Sequence, residues 1–113
     1  MPTIDELPKC PVTTTVRLVG NRWKLLIVRT LLEHPYRFNE LRRDMGGISQ
    51  KVLTENLRTL EADGIVRRID YGEVPPRVEY RLTDLGEAMR PLIAEMARWG
   101  ALYQQTACKS QQS

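Results

Sequence analysis

The chain is poor in the residues that do most chemistry. Its 113 residues include one His, two Cys and only 6% aromatics. With His34 alone, the commonest general base is nearly absent, and close-spaced metal-ligand pairs do not occur. His34 precedes Pro35 at an expected helix end, where a ring able to carry positive charge suits a C-terminal cap. Cys10 and Cys108, in a chain expected to be cytoplasmic, are unlikely to form a permanent structural disulfide. No run approaches the roughly 18 apolar residues of a membrane span. The opening MPTIDELPKCPV lacks the apolar core of a signal peptide, so a cytoplasmic location is expected. Gly46-Gly47 lacks the preceding strand and further glycines of a phosphate loop, and no organised nucleophile motif occurs. Internal repeats are missing too. Neither an enzyme, nor a cofactor, nor a metal site is expected.

What remains is an ordinary globular composition, 42% hydrophobic and 27% charged. The length favours one domain able to bury roughly two-thirds of its unfolded surface. Net charge is +3, which permits nucleic-acid binding without demonstrating it. Between Arg37 and Arg81 basic residues barely outnumber acidic ones. Any affinity for DNA must therefore come from how the charges are arranged.

Pro11 suits the first position of a helix, where its missing N–H is not needed. Val12, Val16 and Val19 then form a one-sided stripe that Gly20-Asn21 breaks. A second helix, about Arg22 to Glu33, is apolar almost all round and should be central. His34-Pro35 ends it. A third helix is predicted from a cap at Asn39 to Met45, followed by a Gly46-Gly47 turn. Ser49 caps a fourth helix that hides Val52, Leu53, Leu57 and Leu60. This helix shows Gln50, Lys51, Thr54, Glu55 and Arg58 outside. Gly64 is its left-handed stop.

Alternation of period two follows on both sides of Gly72-Glu73-Val74-Pro75-Pro76 and predicts a β-hairpin. Val78, Tyr80 and Leu82 should face inward. Thr83 caps a last helix whose apolar residues recur at spacings of three, four and seven from Leu85 to Tyr103. Pro91 inside that pattern should kink it, with two abutting helices as the alternative. The fold expected is α+β, mostly helical. It is a winged helix-turn-helix with a two-stranded β-hairpin wing and a C-terminal dimerisation helix. The domain should span 9–106, with flexible tails at 1–8 and 107–113.

Several strings, in order, resemble the HxlR family of bacterial winged-helix transcriptional regulators. They are Cys10-Pro11-Val12, GNRWKLLIVRTLL, YRFNELRR, GISQKVLTENLRTLEADGIVRR, EVPPRVEYRLTDLG and Trp99-Gly100. The resemblance covers about residues 9 to 101. Each string is weak alone, but the ordered set is specific. Arg22 stands where lysine is common, and Glu55-Asn56 is a variable place. The resemblance implies a homodimer on operator DNA, often near its own gene, with repression as the default.

In a helix-turn-helix the second helix enters the major groove, and its N-terminal residues meet base edges. Here these are Ser49, Gln50, Lys51 and Thr54, with Arg58 one turn on. Gln can pair with adenine, Lys can donate to guanine, and Thr offers a methyl or hydroxyl. Glu55 either accepts from a cytosine amine or restrains Lys51 or Arg58 across one turn. Arg42 and Arg43 suit backbone anchoring, and Arg77 beside the wing tip suits a phosphate or the minor groove. As a bare cation, Arg77 should contribute about one unit of salt slope. The plain alternative for any of these arginines is a solvated surface charge.

A small winged domain needs only one face of its last helix. Met89, Leu92, Met96, Trp99 and Tyr103, with Val12 and Val16, offer more apolar surface than that. The excess should pair with a second copy, unless Met96 and Trp99 merely cap the monomer core. A dimer would set two recognition helices about 34 Å apart on a pseudo-palindromic double-stranded operator.

Cys10 should start the first helix, where free N–H groups, the positive helix end and Lys9 favour a thiolate. HxlR-like proteins include thiol sensors of electrophiles or oxidants whose reactive cysteine lies at this position. The resemblance therefore implies sensing through Cys10. Cys108 is a candidate to resolve an oxidised Cys10 across the dimer. A competing input is a small apolar inducer held between core and dimer helix. A competing function is a protein–protein module without an operator. Against the latter, the exposed face of the fourth helix lacks aromatic or aliphatic anchors.

Overall fold

The computed structural model describes residues 1–112, and of residues 110–112 the backbone alone. Helices α1 (Pro11–Val19), α2 (Arg22–Leu31), α3 (Phe38–Met45) and α4 (Gln50–Ala62) precede the hairpin of β1 (Val66–Asp70) and β2 (Val78–Leu82). Helices α5 (Asp84–Glu87) and α6 (Arg90–Gln112) follow.

Local chemistry sets most of these boundaries. Pro11 opens α1 behind an extended Cys10. Asn21 caps α2 by accepting from the Lys24 N–H at 2.8 Å. The Ser49 hydroxyl accepts from the Val52 N–H at 3.1 Å to start α4. Gly64, at φ +79°, takes the left-handed conformation that ends it.

The α3 cap differs from expectation. Arg37, not Asn39, is the N-cap, and its N–H donates to the Glu40 carboxylate at 3.1 Å. The carboxylate three positions on supplies the capping partner that the Arg37 side chain does not. His34 is also not a helix cap. α2 is capped at Leu32, whereas the His34 ring stacks on Tyr36 with centroids 4.1 Å apart.

The core is one cluster built mainly from α2, α3, α4 and the base of the hairpin. Ile27, Val28, Leu41, Leu53 and Leu60 are fully enclosed, and Leu57 and Val66 nearly so. Burying each large aliphatic side chain stabilises the fold by about 1.5–3 kcal/mol. α2 is central as expected, with Ile27, Val28, Thr30 and Leu31 buried and Trp23, Leu25 and Leu26 packed against the cluster.

The hairpin is antiparallel and in register, Val66 opposite Leu82, Arg68 opposite Tyr80, and Asp70 opposite Val78. Leu82 and Val66 are thus neighbours on the core face. Tyr36 adds a bridge that periodicity does not reveal. Its N–H donates to the Tyr80 carbonyl at 3.0 Å, and the Tyr80 N–H returns one at 2.8 Å. This pair ties the α2–α3 connection to the wing.

The C-terminal region is two helices, not one kinked helix. The Thr83 hydroxyl accepts from the Gly86 N–H at 3.1 Å to cap α5, and α6 begins at Arg90. Pro91 falls in the first turn of α6, where its missing N–H breaks no helical bond. A helix of 23 residues is about 34 Å long. It stretches the molecule to 61 × 37 × 23 Å, with a radius of gyration of 16.4 Å. A compact chain of this length would have ~13 Å.

Both expected tails carry helical backbone. Ile4–Glu6 forms a 3-10 turn, and α6 continues through Gln112. Ser113 lies outside the described residues. The N-terminal segment is held by Thr14, which donates to the Pro8 carbonyl at 3.0 Å, and by Arg17, which donates to the Glu6 carbonyl at 3.0 Å. No helix among the described residues is long and apolar enough to cross a membrane.

Candidate nucleic-acid interface

The structure gathers the expected reading residues on one surface. Gln50, Lys51, Thr54, Glu55 and Arg58 line a shallow depression along the outer side of α4. Lys51, Glu55 and Arg58 lie on the side away from the buried Leu53, Leu57 and Leu60, while Gln50 and the half-buried Thr54 flank it. Glu55 makes no ion pair with Lys51 or Arg58 among the described residues, so the restraint across one turn does not form here.

A second recess adjoins the start of α4. Asn39, Arg42, Arg43, Gly46, Gly47, Ile48 and Ser49 line it. Gly46 and Gly47 both have positive φ, which lets α3 turn into α4 within a few residues. Arg42 is partly committed, since its Nε donates to the Ile48 carbonyl at 3.3 Å. Arg43 is exposed.

Two residues outside the sequence-based set position α4. Asn56 donates to the Val52 carbonyl at 2.8 Å, and its own oxygen accepts from the Asn21 amide at 3.4 Å. Asn21 thus caps α2 and touches α4, fixing how the two helices cross. A lone Asn in a helix carries no pattern that announces such a partner.

Arg77 is not a bare cation. Its guanidinium lies 3.9 Å over the Tyr71 ring. Its Nε is 3.5 Å from a Glu73 oxygen, close enough for attraction but without a hydrogen bond.

Of the residues assigned to a dimer face, Val12, Val16, Leu92, Met96, Trp99 and Tyr103 are all exposed. Trp99 is 62% and Tyr103 63% exposed, so neither caps the core of this chain. Their rings stack on each other, centroids 5.6 Å apart. Met89 differs, being partly buried against the core with Ile93.

Cys10 and Cys108 are both exposed. Hydrogen bonding from the Thr13 backbone, then its hydroxyl, then the Val12 backbone, holds the Cys10 thiol below its ordinary pKa. These contacts are too open to make a regular cap, but all favour the thiolate. No group of three or more His, Cys, Asp or Glu able to hold a metal occurs among the described residues.

A helix-turn-helix followed by a hairpin wing defines a winged-helix protein of the DNA-binding class. Residues 18–108 match the HxlR-like helix-turn-helix family. The HTH-type transcriptional regulator YdeP of Bacillus subtilis strain 168 is 42% identical over 99 residues, which is 88% of this chain and 77% of that protein. Among solved structures, the reduced form of the redox regulator HypR superposes with a TM-score of 0.82 at 40% identity, covering 88% of this chain and 99% of that one. The reduced form of the transcriptional regulator YodB from B. subtilis gives 0.73 at 39% identity, covering 81% and 91%. The chain belongs to the HxlR family of helix-turn-helix transcriptional regulators.

Proposed function

We propose that this regulator is a homodimeric repressor that reads a pseudo-palindromic operator and responds to oxidants through Cys10. The observation that carries the operator reading is the polar outer face of α4, with Gln50, Lys51, Glu55 and Arg58 exposed and Thr54 half-buried among them, beside the Arg42–Arg43 recess. Gln50, Lys51 and Thr54 meet base edges, with Ser49 at the helix start. Arg42, Arg43, Arg58 and Arg77 hold phosphates. Because basic residues barely outnumber acidic ones between Arg37 and Arg81, the surface works by placement of a few donors.

The exposed stripe of Val12, Val16, Leu92, Met96, Trp99 and Tyr103 supports pairing with a second copy. Large aromatic side chains left this open are costly in water and suited to an interface.

The exposed Cys10 with its lowered pKa supports sensing. Two of the similar structures are a redox regulator, HypR, and YodB, which was also solved after diamide treatment. The Cys10 thiolate attacks a peroxide oxygen, the O–O bond breaks, the other oxygen takes a proton from solvent and leaves as an alcohol or water, and protonation of the sulfenate gives a sulfenic acid. The Cys108 thiol then attacks that sulfur, forming a disulfide and releasing water.

One observation favours a second input. An apolar cavity of ≈ 290 Å³ lies between α1, α5 and α6, lined chiefly by Met1, Leu7, Leu18, Leu85, Met89 and Leu92. It is large enough for a small apolar inducer.

Fluorescence anisotropy of the reduced protein tests the operator reading, with DNA from upstream of its own gene against a scrambled duplex at physiological salt. A preference of about a thousandfold or more is expected. Peroxide should abolish it in the wild type and leave it intact in Cys10→Ser. Loss in both would remove Cys10 from the response, and weakening by an apolar compound alone would favour the cavity.

A further inference from the structure

The wing holds its own arginine in a cradle. The Tyr71 N–H donates to the Arg77 carbonyl at 3.0 Å and closes the base of the loop. The Gly72 N–H donates to an Asp70 carboxylate oxygen at 2.9 Å, and Gly72 takes φ +66° to turn the chain outward. These two bonds shape the loop so that the Tyr71 and Arg77 side chains meet face to face, with the guanidinium 3.9 Å from the ring. Glu73 supplies the opposite charge from the loop, 3.5 Å from Nε.

The cradle is electrostatically filled but not satisfied. At that distance no hydrogen bond forms, and Arg77 Nε is enclosed without any acceptor. A shielded, unpartnered donor is costly and takes a better acceptor when one arrives. A phosphate oxygen is such an acceptor, since arginine binds it with short, charge-assisted bonds. Glu73 is 53% exposed on its side chain and can yield to it.

We propose that Glu73 is an electrostatic brake on the wing. It neutralises Arg77 in the free protein and must be displaced by a DNA phosphate, while Tyr71 keeps the guanidinium aimed. The inference rests on the DNA-binding function proposed above. It changes what Arg77 should contribute to salt dependence. An arginine already paired brings little net counterion release, because the carboxylate it leaves behind regains a cation.

The test is a set of four proteins: wild type, E73Q, R77A and E73Q/R77A. Each is titrated over a range of KCl with a duplex that the wild type enriches from a random library. E73Q should tighten binding about two- to five-fold, the range of an exposed ion pair. It should also steepen the salt slope by about one unit. In the R77A background the same change should do nothing. An equal gain in both backgrounds would mean that Glu73 merely repels phosphate, and would overturn the proposal. No gain in either would overturn it too, leaving DNA binding intact. A wild type that enriches no duplex would overturn the brake together with the DNA function it serves.

Discussion

The hydroxyl of Tyr36 lies 2.8 Å from a carboxylate oxygen of Asp44, and 2.9 Å from one of Glu33 on its other side. One phenol thereby joins the end of α2 to the last turn of α3, while its backbone pairs with Tyr80 of the wing. Tyr36 thus ties the α2–α3 connection to both α3 and the wing.

The Asp44 hydrogen bond, then burial, then Glu33 push the Tyr36 pKa well above the ordinary tyrosine value. The neutral phenol is favoured in the folded state. It therefore contributes stability that is complete below the unfolded value near 10 and is lost as pH rises above it. Chemical denaturation between pH 8 and 11 should show the wild type losing stability faster than Tyr36→Phe. The variant should melt lower at pH 7, and parallel pH profiles would show that the hydroxyl is not linked to folding.

Gly86 is buried where α5 crosses the start of the hairpin. A methyl there would overlap the Ile65 carbonyl oxygen and press on Leu82. Gly86→Ala should cost about 1–3 kcal/mol. Urea unfolding checks this, and an unchanged midpoint would mean that α5 shifts freely.

Gln50→Ala and Lys51→Ala should each weaken specific binding roughly 5- to 150-fold and leave binding to scrambled DNA less affected. Uniform loss across sequences, read by anisotropy, would move that residue from base edge to phosphate.

Trp99 and Tyr103 stack on an exposed face of α6. If that face is the dimer seam, Trp99→Ala should raise the dimer dissociation constant about 30-fold or more, as a central aromatic anchor does. Analytical ultracentrifugation reads this directly. A wild type that is monomeric at micromolar concentration contradicts the dimer.

Cys10 should alkylate fastest, at pH values below those an ordinary thiol needs, because its thiolate is favoured. Iodoacetamide labelling against pH, followed by peptide mass analysis, measures this. Thr13→Val, which deletes the hydroxyl but keeps the backbone N–H, should shift the profile only part of the way back.

Much of this fold is legible in the sequence because its signals are local. Ser49, Gly64 and the spacing of Leu53, Leu57 and Leu60 define α4 within one short segment. The hairpin register follows from period two around Gly72–Pro76. What escapes are contacts between distant segments. The Tyr36–Tyr80 bridge is a single pair with no periodicity. Asn56 meets Asn21 across 35 positions. The cap at Arg37 is carried by Glu40, so a scan for Ser, Thr, Asp or Asn at the cap finds Asn39 instead. At the site, the sequence places Arg77 beside the wing tip. It does not show that Tyr71 and Glu73 already hold it, because stacking across a loop depends on the loop's backbone path.

The most direct test of the account is selection of duplexes by the reduced wild-type protein from a random library at physiological salt. Sequence-specific reading by paired α4 helices predicts enrichment of a pseudo-palindrome. Its half-sites should lie about one helical turn apart, or a whole multiple of it, and Gln50→Ala should lose preference at defined positions in both half-sites. Recovery of unenriched sequence, bound equally by wild type and Gln50→Ala, would contradict it.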